Sequence, residues 1–259
     1  MSSTVWDRAS RMLVPVDGRR RAEILVLTPG LPDVATLFSF MRDAELRFLT
    51  LRMRVEETNV GIRGDRRTVH EVSVRHPGDA KVLSTDPDAP ISSDYEVWIS
   101  DGETVRTYSG AHRLGTERPI RRRVVGLDDP DLPGRSTVYV PVTALPMESI
   151  VETLVHPGGF AQNVLATGDC WISGSGRVAG REAIVVECDH PRTIEIDADR
   201  PDHHFQLSVD RETGVVTRLV ETIGGSVTRS VIVTNLGPDV ALPPSSFVFS
   251  FPTGTTLIY

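Results

Sequence analysis

Any chemistry in this 259-residue chain has to come from seven histidines, two cysteines and a few serines set beside glycine. The pair His203-His204 has the donor type for a transition metal. Neighbours in a strand point to opposite faces, however, so both cannot reach one ion without a bulge. His190, in Cys188-Asp-His-Pro191, offers an imidazole beside either a thiol or the orienting acid Asp189, and here too adjacent strand positions diverge. His70, His76, His112 and His156 stand alone in sequence. Gly174-Ser175-Gly176 has the glycine spacing of a nucleophile elbow but lacks the helix that must follow it. No phosphate-cradling loop or dinucleotide fingerprint occurs. The residues read as a chain without a catalytic set, a metal site or a cofactor.

The cysteines carry a sharper expectation. Cys170 and Cys188 flank a hairpin whose turn contains Ala179-Gly180. A three-residue loop Val178-Ala179-Gly180, with Gly180 left-handed, sets Cys170 opposite Cys188, Ile172 opposite Val186 and Gly174 opposite Ile184. A two-residue turn would instead set Ile172 against Glu187 and mix the faces. Opposed residues in a non-hydrogen-bonded pair lie within disulfide range, so the pair is either a bridge or two buried thiols.

The elements that position these residues are mostly strands. Leu49, Leu51, Met53 and Val55 alternate with Thr50, Arg52, Arg54 and Glu56, a pattern that a helix would scatter around its circumference. Tyr95, Val97 and Ile99 lead into an Asp101-Gly102 turn and out through Val105. From Ile194 the chain reads as successive hairpins, with Phe205, Leu207 and Val209 before Asp210-Arg-Glu-Thr-Gly214, another turn at Gly224-Gly225, and Phe247, Phe249 and Phe251 as a last strand. Two amphipathic helices are expected: Val34, Leu37, Phe38 and Met41 behind the N-cap Asp33, and Met147, Ile150, Val151 and Leu154 bounded by Pro146 and His156-Pro157-Gly158-Gly159. A further short helix is expected around Val5 to Leu13. The segment from Arg113 to Gly134 reads in part as a long loop.

The hydrophobic content of 39% and charged content of 24% are those of an ordinary soluble globular protein. The length fits one β-rich domain, with residues 1–30 peripheral and 31–259 forming the body. The net charge of -7 argues against a nucleic-acid surface. The runs Arg19-Arg20-Arg21 and Arg121-Arg122-Arg123 read as solvated loops. No apolar run is long enough to cross a bilayer, and Ala22 to Thr28 is too short and too acidic for a signal-peptide core. As written from Met1 the chain is expected in the cytoplasm, or exported if the precursor begins upstream.

The order of elements resembles the superfamily of the lipoprotein carrier LolA, the anti-sigma regulator RseB and the mycobacterial lipid-binding lipoproteins. The similarity rests on the helix and long strand from Val34 to Val55 and on Tyr95-Glu-Val-Trp-Ile-Ser100 with its Asp-Gly hairpin. It rests also on Val209-Asp-Arg-Glu-Thr-Gly-Val-Val-Thr-Arg-Leu219 and the terminal Phe247-Val-Phe-Ser-Phe-Pro-Thr-Gly254. The resemblance implies an α+β, mainly β fold: a large curved antiparallel sheet, a half-barrel, with short helices across its concave face and an apolar cavity between. It implies non-catalytic binding of a lipid or acyl chain, where each buried methylene contributes about 0.8 kcal/mol. The alternatives are an RseB-like regulatory module with a protein partner, or a biosynthetic enzyme on the same fold. Candidate lining residues, on apolar faces of expected strands, are Leu51, Met53, Val97, Ile99, Ile194, Ile196, Phe205, Leu207 and Phe249. Members of the superfamily are typically exported, often with a lipobox cysteine, and this chain shows neither feature.

Overall fold

Alternation with a period of two dominates the observed structure. The computed structural model describes residues 24–62, 64–89, 94–120, 141–190 and 202–258, together with the backbone of two N-terminal strands. Those strands, Thr4–Asp7 (β1) and Met12–Pro15 (β2), pair antiparallel where the spacing from Val5 to Leu13 predicts a helix. Val5-Trp6 and Leu13-Val14 are β-branched and bulky positions, which suit a pleated strand better than a helix.

The remaining strands are Thr50–Asn59 (β3), Arg66–Arg75 (β4), Asp79–Thr85 (β5), Tyr95–Asp101 (β6), Thr104–Ser109 (β7), Leu114–Pro119 (β8), Asp169–Val178 (β9), Arg181–His190 (β10), His203–Asp210 (β11), Val216–Ile223 (β12), Ser226–Pro238 (β13) and Thr256–Ile258 (β14). They form one open sheet in the order β14-β8-β7-β6-β5-β4-β3-β13-β12-β11-β10-β9. Every neighbouring pair is antiparallel except β8 with β14. Two meanders of sequential hairpins, β3 to β8 and β9 to β13, therefore meet along a single seam between β3 and β13.

Helices Val34–Arg42 (α1), Ile150–Val155 (α2) and Pro157–Asn163 (α3) cover one face, the concave one. Asp33 caps α1 as expected, accepting from the Thr36 backbone N–H at 2.8 Å and the Thr36 hydroxyl at 2.7 Å. Its buried stripe is Leu37, Phe40 and Met41, rotated by one residue from the expected one, so Phe38 lies at the margin. The second expected helix begins later, at Ile150 behind the N-cap Ser149, and leaves Met147 64% exposed. His156-Pro157-Gly158-Gly159 stops α2 at its C-cap His156, as expected, and at once opens α3. Pro157 sits in its first turn, where a missing N–H costs nothing, and Gly158 lets the helix approach Arg42 of α1.

The two faces of the sheet hold separate apolar layers. Under the helices lie Leu51, Met53, Val55, Val72, Val74, Leu207 and Val233, each with almost no exposure. On the convex face Val97, Ile99 and Tyr108 are buried by the C-terminal segment, in which Phe249 and Phe251 approach Tyr108 at 5.8 and 6.4 Å. That segment is no strand: Pro244–Phe247 is a short 3-10 turn, and only Thr256–Ile258 pairs, with β8. Pro243, Pro244 and Pro252 remove the donors that a ladder would need. Gly115 admits the crossing, because a Cβ there would stand 2.6 Å from the Phe251 ring.

At the lower end, β4 leads into two buried imidazoles. His76 stacks on Phe48 with ring centroids 5.1 Å apart and bonds through Nδ1 to the Thr143 hydroxyl at 2.7 Å. His156, between α2 and α3, places Nε2 3.4 Å from Glu45, whose carboxylate also accepts from the Val142 N–H at 2.9 Å. Burial lowers His76 to about 4; burial and then the nearby His76 lower His156 to about 3.

Candidate functional site

The apolar rows of the concave face end in a polar one. One step beyond Val55, Val72, Val82, Val231, Leu219 and Phe205, on the same parity of each strand, stand Glu57, His70, Ser84, Arg229, Glu221 and His203. Side chains two apart in a strand share a face, so this row crosses the concave face from β5 to β11. Charged residues continuing a buried apolar column are the unusual feature of the sheet.

Glu57 is the hub. Its carboxylate accepts from His70 Nε2 at 3.1 Å, from Asn59 Nδ2 at 3.1 Å and from Arg229 Nε at 2.7 Å, with Arg229 Nη2 at 2.6 Å. Burial alone would raise its pKa; the His70 and Arg229 partners overcome that and hold it near 2. With Glu57 ionised, His70 Nε2 is the donor to it, and Nδ1 is hydrogen-bonded to the Ser84 hydroxyl at 2.8 Å. At the other end His203 Nε2 meets Glu221 at 2.7 Å, and its ring lies 4.4 Å from Phe205.

Ser84, His70 and Glu57 have the connectivity of a nucleophile, base and orienting acid. Two features oppose acyl transfer there. Glu96 lies directly opposite Ser84 across β5 and β6, so an acidic side chain borders the hydroxyl where acyl transfer would call for oxyanion donors. Glu57 is also neutralised by Arg229, which weakens its pull on His70. The row is suited to hold and orient polar groups. Among the described residues no group of three or more His, Cys, Asp or Glu is arranged to hold a metal.

The expected lining residues divide among three places. Leu51, Met53, Phe205 and Leu207 come together on the concave face, but Leu51, Met53 and Leu207 are sealed by the helices, and Phe205 meets Phe160 of α3 edge-on at 5.7 Å. Val97, Ile99 and Phe249 belong to the convex layer: the even residues of β6, Glu96, Trp98 and Ser100, face the helices, so its odd apolar residues cannot. Ile194 and Ile196 lie outside the described residues, as do Arg19 to Arg21 and the stretch from Arg121 to Gly134.

Cys170 and Cys188 do face each other, and both are free thiols. The route differs from the expected one. The turn is two residues long, Ala179-Gly180, both with positive φ (50° and 77°), and a bulge at Ser173 restores the register before Ile172 meets Val186. Gly174 consequently pairs with Val185 and not with Ile184. His203 and His204 point to opposite faces as expected; His204 sits between Asp189 (2.7 Å) and Glu187 (2.8 Å) on the convex side.

A cleft of about 960 Å³ opens at the lower end, between Ile24, Leu25 and Val26 and the turns of the second meander. Arg47 lies on its wall, donating to the carbonyls of Phe40 at 2.7 Å and Leu25 at 2.9 Å, with its guanidinium 3.7 Å above the Phe40 ring. The Asp210-Arg-Glu-Thr-Gly214 turn forms another wall. Asp210 there accepts from Arg181, Thr213 and the Glu212 N–H, which makes the motif a turn organiser.

No family model and no curated protein matches the sequence. Among solved structures the chain is similar to MucB, with a TM-score of 0.50 and 14% identity over 84% of this chain and 62% of that one. It is equally similar to the MucA/MucB complex of Pseudomonas aeruginosa, with a TM-score of 0.50 and 14% identity over 84% and 61%. The lipoprotein LppX of Mycobacterium tuberculosis also matches, at a TM-score of 0.39 and 11% identity over 78% and 94%. The chain spans about three-fifths of the length of the MucB chains. The likeness to MucB shows the fold alone, an open half-barrel.

Proposed function

We propose that this half-barrel is a non-catalytic binding protein whose concave face receives an extended segment of another protein. The carrying observation is the division of that face. Its apolar floor at Leu51, Met53 and Leu207 is occupied by the chain's own helices, while the row from Ser84 to His203 is polar, with Glu57 and His70 buried at its centre and Arg229, Glu221 and His203 partly open. Polar side chains spaced across several strands match the backbone groups and side chains of a peptide better than a methylene chain, which can offer them no partner. The crystallised MucA/MucB complex, on a similar fold, supports a protein partner. A photo-crosslinking residue at Ser84 should give a protein adduct in cells, and one at the exposed convex Ile232 should not. The reading fails if the chain instead purifies with stoichiometric lipid and Ser84 yields no protein adduct.

A second reading, carriage of an apolar small molecule or acyl chain, is favoured by the lower cleft. Ile24, Leu25, Val26 and Phe40 line one part of it, beside the charged Arg181, Glu182 and Arg211, and its size suits a small ligand.

A further inference from the structure

Independently of the concave-face reading, we propose that β9, the last strand of the open sheet, pairs antiparallel with β9 of a second copy of this chain. β9 is exposed along most of its length, with Trp171 41% exposed and Ser173, Ser175, Gly176 and Arg177 open to solvent. An exposed edge is a template for another strand, and proteins commonly blunt it with lysine, proline or a bulge. β9 contains neither lysine nor proline. Its bulge at Ser173 does disturb the alternation, and a second copy carries the same disturbance.

Asp169, Trp171 and Ser173 face the convex side: Trp171 pairs with Glu187 and lies 6.0 Å from His204, and the Ser173 hydroxyl reaches Glu187 at 3.3 Å. Cys170 and Ile172 face the helices, opposite the buried Cys188 and Val186. Beyond the bulge, Ser175 pairs with the buried Ile184 and so faces the helices, whereas Gly174 and Gly176 pair with Val185 and Ala183 on the convex parity. From Asp169 to Val178 the facing thus runs out, in, out, in, out, out, in, out, in, out. The order is the same read backwards. A second copy matches it about a two-fold axis between Ser173 and Gly174, bulge against bulge, so that side chains of like facing meet along the whole strand.

That register sets Ser173 against Gly174 of the second copy, Ile172 against Ser175 and Trp171 against Gly176. A Cβ at Gly174 would meet nothing within 4 Å, and one at Gly176 only a Val185 methyl at 3.7 Å, so each glycine leaves a bare strip that the opposing indole can cover. Asp169 and Arg177 are the only charged residues of β9. The antiparallel register sets Arg177 against Cys170 and Asp169 against Val178, so neither meets a like charge, whereas a parallel in-register pair would set like charges side by side. A single strand pair is a small interface, so association in the range of ~10–100 µM is expected.

The test is sedimentation velocity of the full chain from ~1 to ~500 µM, with hydrogen exchange read at the amides of β9. A reversible dimer is expected, with exchange at 170–177 slowing as concentration rises. Gly176→Glu and Trp171→Ala should each weaken dimerisation at least ten-fold while leaving thermal melting of the monomer unchanged. A monomer at every concentration overturns the proposal, as does a dimer that neither substitution weakens.

Discussion

Acidification from pH 7 to pH 5 will destabilise the fold chiefly through His76 and His156. Both are held neutral in the folded state, His76 at about 4 and His156 at about 3, against an unfolded value near 6.5. A lowered histidine pKa means that the unfolded chain binds the proton more readily. The stability it contributes is therefore complete above pH 6.5 and is lost as pH falls towards the folded value. Each histidine loses about 2 kcal/mol between pH 7 and pH 5, so the pair loses about 4 kcal/mol at most. Glu45, 3.4 Å from His156 Nε2, favours the imidazolium and trims the second contribution. Glu57 is silent in this window: its folded pKa near 2 and its ordinary unfolded value both lie below pH 5. His204 acts in the opposite sense. Burial lowers it, but its bonds to Asp189 and Glu187 win and raise it, which adds stability as pH falls, by an amount that its partial exposure keeps small. Urea unfolding followed by tryptophan fluorescence at pH 7, 6 and 5 measures the sum, and His76→Gln should remove close to half of the slope. A stability that is flat from pH 7 to pH 5, or a slope unchanged by His76→Gln, refutes the reasoning.

Arg229→Ala should destabilise by about 1–3 kcal/mol in urea unfolding, because it strips Glu57 of its cation in a buried site; Glu57→Gln added to it should recover part of the loss. Gly115→Val should lower the melting temperature by driving a side chain into the Phe251 ring, and Phe251→Ala in the same chain should relieve it. Leu51→Ala should cost about 2–5 kcal/mol, as a fully buried leucine in a packed layer does, whether or not a ligand is added. Burial raises the pKa of both Cys170 and Cys188, so the disulfide reagent DTNB should titrate two thiols promptly only after unfolding.

The strands were legible because their alternation is strict. β3, the β6–β7 hairpin and the hairpins of the second meander all follow from apolar residues two apart. Which face those residues take was not legible, since parity within a strand says nothing about what covers it. Val97 and Ile99 alternate as cleanly as Leu51 and Met53, yet one pair is covered by the C-terminal segment and the other by helices. The Phe247 to Phe251 alternation misled for a related reason: rings spaced two apart suit any extended chain lying on an apolar surface, paired or not. The polar row has a signal in the sequence. Glu57, His70, Ser84 and Arg229 each extend an apolar column by one step, and a charge in that position asks for a partner. What no single strand discloses is that the columns align across the sheet, which depends on register.

The seam between β3 and β13 governs how the chain assembles in time. Each meander is built from contacts between neighbours in sequence and can zip locally, whereas Glu57 and Arg229, which pair across the seam, are 172 residues apart. Closing so long a loop carries an entropic charge that no local hairpin offsets, so joining the halves should be the slow event in folding. Until then both halves expose an unpaired edge, at β3 and at β13, and an unmatched Glu57 or Arg229. The ion pair thereby serves as a checkpoint of alignment, since a slip by one residue between the strands would put Glu57 and Arg229 on opposite faces of the sheet. A chain cut between Ile120 and Pro141 should yield two fragments that recover the fold only on mixing, at a rate set by their concentration.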